Sequence, residues 1–585
     1  MIRKLLPLLL ATSLFATAAD LTTVSERSGF TQTGRYEEVI KLCAAFQKSY
    51  PDAVRCTEFG RTPEGRPMLA LVATRTGALT PEAARKRGIP VLLVQGGIHA
   101  GEIDGKDAGF LALREVLDGK AAKGALEQQV FVFVPVFNID GHERFGRWNR
   151  PNQRGPEEMG WRTTSQNYNL NRDYVKADAP EMQAMLRLVN AWDPIVYVDL
   201  HVTDGAQFEH DISVMIEPVD AGDEALQQAG RAMRDALLAD VTLQGSAPLS
   251  VYPAFVVEDD PASGITHGVA PPRFSHTYFL WRNRFGMLIE THSWKDYPTR
   301  VRITRNLVVA TLSQVGAHGA EWRKTALEAD ARSSKLAGEP VTLTYKTGKK
   351  SHVIDFRGYE YTRTPSDISG ALMTRYDESK PQVWKMSLRD EILPNYSLAA
   401  PKAGYLVPPG YAPMVAKKLE LHGIAFRTLR APLVNAPVEA YRATKADFSA
   451  VSFEGHQRLT LAGEWKPETR DVPAGALFVP IAQPKSRLVM AILEPQAPDS
   501  LAAWGSFNNA FEKKEAMEQY VAEAVARDML AKSPQLAEEF RQKVAGDAEF
   551  AKSPAARLEY FHRLHPSWDE QFNLYPVLRA AEVPR

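Results

Sequence analysis

Four short apolar runs constrain this chain more than any other feature: "IPVLLVQ", "VFVFVPVF", "IVYVDLHV" and "FGMLIETHS". Each is rich in Val, Ile, Leu or Phe, and none alternates cleanly with polar residues. Such runs read as strands buried on both faces of a sheet. Helical periods stand between them, among them "KDAGFLALREVLDG" and "PEMQAMLRLVNAW". The alternation predicts an α/β fold, a mixed sheet with helices on both faces, over roughly Tyr36 to Arg323. In sheets of this kind the ligand site lies beyond the carboxyl ends of the strands.

The pattern changes after about Arg332. "EPVTLTYKTGKKSHVIDFRGYEYTRT" alternates with period two and reads as strands with one exposed face. "GYLVPPGYAPMVAKKLELHGIAFRTL" reads as strand, helix, strand, and "DSLAAWGSFNNAFEKKEAMEQYVAEAVARDML" opens a helical stretch. The expected organisation is a signal peptide over 1–19, a catalytic domain over 20–331, an accessory β-rich or α/β region over 332–497 and a helical C-terminal segment over 498–585. The first residues, "MIRKLLPLLLATSLFATAAD", have the three-part layout of an export signal, with cleavage expected after Ala18 or Ala19. No later run is long enough and apolar enough to span a membrane, so the mature chain is expected to be exported, periplasmic or secreted, and not membrane-bound. Lys plus Arg equals Asp plus Glu, at 70 each, which argues against a nucleic-acid partner. The two cysteines, Cys43 in a helical period and Cys56 at the start of a strand-like stretch, would meet an oxidising compartment, where such a pair tends to bond. Two free buried thiols are the alternative.

Chemistry gathers at the strand ends. His99 and Glu102 follow the first strong strand on a turn that opens with two glycines, and His201 closes another strand. Two imidazoles and a carboxylate are zinc ligands, and a catalytic zinc usually takes three protein ligands. Glu290 stands at the end of a further apolar run, where an ionised group seldom sits without a partner.

His-x-x-Glu, then "NIDG", an arginine-bearing loop, "NLNRDY", a His after a strand and a Glu after the last long strand occur here in order. Together they resemble the zinc carboxypeptidase family, the carboxypeptidase A-like metallopeptidases, here as a secreted bacterial-type member with a long C-terminal extension. The resemblance covers roughly Tyr36 to Arg323 and implies the following. One Zn2+ per chain is held by His99, Glu102 and His201. Glu290 is the general base, and Asn171 and Arg172 bind the terminal carboxylate of a peptide or protein substrate. A loop arginine stabilises the oxyanion; Arg154 is the first candidate and Arg150 the second. Tyr278 is the candidate for a tyrosine that closes over the substrate. His276 and His292 are expected to support the site without binding metal, and Arg273 and Ser275 to line the side-chain pocket, favouring an acidic or polar C-terminal residue. The activity implied is removal of C-terminal residues. A cell-wall stem-peptide peptidase and a zinc-dependent deacylase or amidase of the same fold stay open as alternatives.

Overall fold

The computed structural model describes residues 20–584, so the signal reading of residues 1–19 lies outside the described residues. Strands β1 (Val54–Arg61), β2 (Pro67–Ala73), β3 (Val91–Gly96), β4 (Val130–Val134), β5 (Val196–Val202), β6 (Ile212–Glu217) and β7 (Pro248–Leu249) precede a short β8 (Ile265–Thr266), and β9 (Phe285–Thr291) follows it. All but β8 form one sheet, in the order β1-β2-β4-β3-β5-β9-β6-β7. The four apolar runs of the sequence are β3, β4, β5 and β9. They lie side by side and mutually parallel, and every residue in them is buried. The flanking β2 and β6 are antiparallel to this block, which makes the sheet mixed. Apolar side chains such as these each contribute about 1.5–3 kcal/mol when fully buried, and that burial holds the block together.

Helices α1 (Tyr36–Ser49), α2 (Asp104–Leu117), α3 (Pro180–Trp192), α4 (Glu224–Leu243), α5 (Ser275–Leu280) and α6 (Tyr297–Ser333) surround it. The start of α2 comes unusually close to the sheet. A Cβ on Gly105 would stand 2.8 Å from Cβ of Leu200, and one on Gly96 would stand 2.8 Å from the Pro135 carbonyl. Only glycines permit this approach, and Gly97, with φ +62°, turns the chain away from β3. The turn is then locked by buried charge. Arg300, fully buried in α6, donates to Asp104 at the head of α2 at 2.8 and 3.3 Å and to the carbonyls of Arg154, Gly155 and Lys295. Pairing of this completeness is what a buried ion pair requires.

The chain forms two compact units. One comprises residues to 400 together with Lys417–Ala425 and Ile481–Ile492; the other comprises Pro401–Ala416, Phe426–Pro480 and the residues from Leu493 on. The expected boundary near Arg332 is therefore displaced. The stretch after α6 forms β10 (Pro340–Thr347), β11 (His352–Pro365), β12 (Leu372–Arg389) and β13 (Ile392–Ala399), and all four stay with the first unit. The reason is pairing: Leu388 and Arg389 of β12 lie parallel to Ile265 and Thr266 of β8. A core of Phe208, Val251, Ile265, Phe356, Trp384, Met386 and Leu388 closes behind them.

In the second unit, β14 (Gly404–Val407), β15 (Arg427–Thr428), β16 (Leu433–Phe448), β17 (Leu459–Val472) and β18 (Leu477–Pro480) join a last strand, β19 (Leu578–Ala580), in a sheet ordered β15-β18-β14-β19-β16-β17. The C-terminal segment is helical through Gln519–His562, as its periodicity predicts, but it ends as a strand inserted between β14 and β16. Three residues are too few to carry a strand pattern. Among the described residues no helix is long and apolar enough to cross a membrane.

Cys43 of α1 and Cys56 of β1 form a disulfide across 13 positions. Closing a loop of that size stabilises a fold by about 3 kcal/mol through the unfolded chain. The Cys43→Ala/Cys56→Ala protein is expected to lose about that much stability in urea unfolding, with an unchanged native circular-dichroism spectrum. A loss below about 0.5 kcal/mol would show that the bond does not hold the first helix to the sheet.

Candidate functional site

Sheet register assembles the site. β5 and β9 are parallel neighbours in which His201 lies opposite Glu290. His99 and Glu102 arrive from the turn that follows β3, the other neighbour of β5. The Glu102 amide donates to the His99 carbonyl at 2.9 Å, which closes that turn. The carboxylate of Glu102 then divides between the histidines: Oε1 stands 3.0 Å from Nδ1 of His99 and Oε2 stands 2.9 Å from Nδ1 of His201. The Val202 amide donates to Oε2 at 3.0 Å. One ligand atom from each of His99, Glu102 and His201 lies within 4.8 Å of the others, and all three residues are buried. Two imidazole nitrogens and a carboxylate oxygen on converging side chains suit zinc, so the donor set fits the metal that the motif implies.

The surroundings tune these groups. Nε2 of His201 stands 2.8 Å from Oδ2 of Asp199, and Gln95 donates to the other oxygen of Asp199 at 2.8 Å. A carboxylate behind a metal-binding histidine fixes the ring and raises its basicity. Burial alone would depress His201, but Asp199 and then Glu102 hold it well above the usual histidine range. Burial lowers His99 to about 4, against the pull of Glu102. Glu102 itself is pushed up by burial and pulled down further by His99 and Arg150, so it stays ionised. Nη1 of Arg150 lies 3.0 Å from its Oε1, and that guanidinium also reaches Asp204. Glu290 differs. Burial raises it to about 8, His201 opposes the shift and Glu102 adds to it, while its Oε2 has no protein hydrogen-bond partner. A carboxyl poised near neutrality with one oxygen free is what general acid–base work needs.

His99, Glu102, His201, Glu290, Asn171 and Arg172 line one cavity of about 510 Å³. Asn171 and Arg172 belong to a short 3-10 turn, Leu170–Arg172, capped by the Asn169 side chain. Oδ1 of Asn169 also lies 3.1 Å from Nε2 of His99, which couples the turn to the cluster. Oδ1 of Asn171 accepts from the Ser275 amide at 3.3 Å, and the Arg172 guanidinium sits 4.3 Å over the Phe274 ring.

Three expectations are corrected. Arg154 does not reach the cluster: its guanidinium is held by both carboxylate oxygens of Glu378, at 2.8 and 2.6 Å, and lies half-exposed. Its backbone carbonyl is fixed by Arg300, which sets that direction. Tyr278 is fully buried in α5, with its hydroxyl 2.8 Å from Nδ1 of His422 and accepting from Arg282 at 3.2 Å. It is a packed core residue and cannot close over a ligand. Arg273 and Ser275 are absent from the cavity wall, whereas His276 is part of it. His292 lies against Thr203, 3.1 Å from Oγ1, and stacks on Phe208.

Sequence reasoning missed Arg162. It lines the cavity, with Nη1 3.3 Å from Oε1 of Glu102. "NIDG" places it: Nδ2 of the Asn138 side chain donates to the Arg162 carbonyl at 3.1 Å, and the Trp161 backbone amide donates to the Gly141 carbonyl at 2.7 Å. Asp140 ties the same loop to the entry hairpin through Ser165 and Thr62. The conjunction of "NIDG" with the later "GWR" was the available signal. Tyr252, also on the wall, gave none beyond being an aromatic in a loop. Asp199 was legible, since residues two apart on a strand share a face with His201.

Comparison with known proteins finds a family match over part of the chain. A model of the zinc carboxypeptidase family matches residues 39–252. Carboxypeptidase 2 of Trichophyton tonsurans is 23% identical over 479 residues, which cover 76% of this chain and 79% of the relative. Carboxypeptidase 2 of Trichophyton equinum matches to the same extent. Among solved structures, a metallo-carboxypeptidase from Burkholderia cenocepacia aligns over 47% of this chain and 69% of its own, at 18% identity and a TM-score of 0.34.

Asp199→Asn is expected to weaken zinc binding by about 10- to 100-fold, read by competition with a chelating dye. Unchanged affinity would remove Asp199 from the support of His201.

Proposed function

We propose that the chain, whose residues 39–252 match a zinc carboxypeptidase family model, is an exported metallocarboxypeptidase, cutting the last peptide bond of peptides or proteins with free C-termini. The observation that carries this reading is the shared cavity: the His99, Glu102 and His201 cluster, Glu290 and the Asn171–Arg172 turn all line one space. The leader-like residues 1–19 and the disulfide support export.

A zinc ion held there supplies Lewis acidity, which acidifies water and polarises a carbonyl. The chain's own groups do the rest. Arg172 and Asn171 grip the terminal carboxylate of the substrate, a task suited to a guanidinium fork. That grip sets the cut one residue from the end, because an internal bond offers no carboxylate. Glu290 takes the proton of the attacking water and returns it to the departing amine. Arg162, on the cavity wall beside Glu102, replaces Arg154 as the donor to the developing oxyanion. Arg150 is not on the wall; it clamps Glu102 from behind.

Glu290→Gln is expected to keep stoichiometric zinc and to lose about 10²- to 10⁴-fold in kcat. Arg162→Met is expected to lose about 10²- to 10³-fold. Mass spectrometry of peptide digests should show single-residue loss from free C-termini and none from amidated ones. Equal trimming of amidated peptides would contradict the role of Asn171 and Arg172.

A further inference from the structure

The catalytic cavity has a second end. Strand β6 is antiparallel to β9, with Ser213 opposite Glu290 and Glu217 opposite Gly286. Ser213, Met215 and Glu217 share one face of β6. Glu217 therefore lies four residues along the strand from the register of the general base, roughly 13 Å. Met215 and Leu288 wall the space between, and beyond them the cavity is lined by Glu217, Asp220 and Asp390.

One carboxylate is held by backbone and two lie beside imidazoles, Asp220 beside His267 and Asp390 with Oδ1 3.6 Å from Nδ1 of His352. Glu217, 4% exposed, accepts from the Val219 amide at 2.9 Å. Asp220 follows in the same turn, with Oδ2 3.3 Å from Nε2 of His267. Asp390 comes from far along the chain, beyond residues 39–252. It is carried to the wall by the pairing of Leu388 and Arg389 with β8 and by the His267 amide, which donates to the Arg389 carbonyl at 2.8 Å. Arg234, a guanidinium on the cavity wall, is already matched: its Nε and Nη2 both stand 3.0 Å from Asp235. Glu217, Asp220 and Asp390 outnumber the cationic groups on this part of the wall, Arg234 and, when protonated, His267. Burial pushes Glu217 up to about 7; neighbouring Asp220 adds to that shift and His267 opposes it.

We infer that this end of the cavity receives a cationic C-terminal side chain, an ammonium or guanidinium on a long stem, and that Asp220 and Asp390 are its specificity-determining residues. The inference rests on the carboxypeptidase reading and gives it a substrate class. It reverses the acidic preference expected from Arg273. It also assigns a task to the β10–β13 stretch, which supplies the Asp390 part of the wall. The pocket wall discriminates by charge: it attracts lysine or arginine and repels glutamate.

The test compares kcat/KM for N-blocked peptides that differ only in a final Lys, Arg, Leu or Glu, with the zinc-loaded full-length mature protein. Lys and Arg are expected to exceed Leu at least 10-fold and Glu at least 100-fold. Asp220→Asn and Asp390→Asn should each lower the Lys-to-Leu ratio at least fivefold. Asp390→Lys should raise the Glu-to-Lys ratio above that of the parent, a gain that misfolding cannot produce. Hydrolysis of the Leu peptide at a rate equal to or above that of Lys would overturn this inference and leave the carboxypeptidase reading standing. So would ratios that none of the three variants moves. Failure to cleave any peptide would overturn both.

Discussion

The Glu102 carboxylate is the interaction on which the site depends. Its two oxygens are shared between His99, on its own turn, and His201, on the next strand. A single side chain thus joins the loop after β3 to the end of β5, and the Val202 amide fixes its pitch. His99 and, behind it, Arg150 keep it ionised in a buried setting, where a lone carboxylate would instead take up a proton.

The bridge can be this short because the fold brings α2 close to the sheet. Gly96 and Gly105 remove the side chains that would keep them apart, and the Asp104–Arg300 pair holds the approach. The same Arg300 grips the carbonyls of Arg154 and Gly155. One buried cation therefore fixes both the metal-binding turn and the arginine loop. Such a pair contributes little net stability against an apolar equivalent, yet losing one partner typically costs 3–5 kcal/mol. Its value here is positional.

The sequence made much of this legible, for identifiable reasons. Buried parallel strands are continuously apolar, so β3, β4, β5 and β9 could be read directly, and with them the places of His99, His201 and Glu290. Loop side chains were harder. Arg154 and Arg162 lie on one loop, and spacing alone does not reveal which carbonyls tether it; the tethers are Arg300 at one point and Asn138 at the other. Tyr278 failed because an aromatic in a short helix is as easily packed inward as outward. The unit boundary failed because β8, two residues long, has no pattern, yet its pairing holds β12 against the first unit. Asp390 could not have been found from sequence, since nothing local links it to Glu217 and Asp220, some 170 residues earlier.

What His99, Glu102 and His201 hold decides the chemistry of the site. The most direct measurement is anomalous diffraction at the zinc edge from crystals of the mature protein. One strong peak is predicted per chain, about 2.0–2.2 Å from Nδ1 of His99, Nδ1 of His201 and a Glu102 oxygen, on the wall of the cavity that holds Glu290. A zinc-replete crystal with its peak elsewhere, or with none, would contradict the assignment of the site.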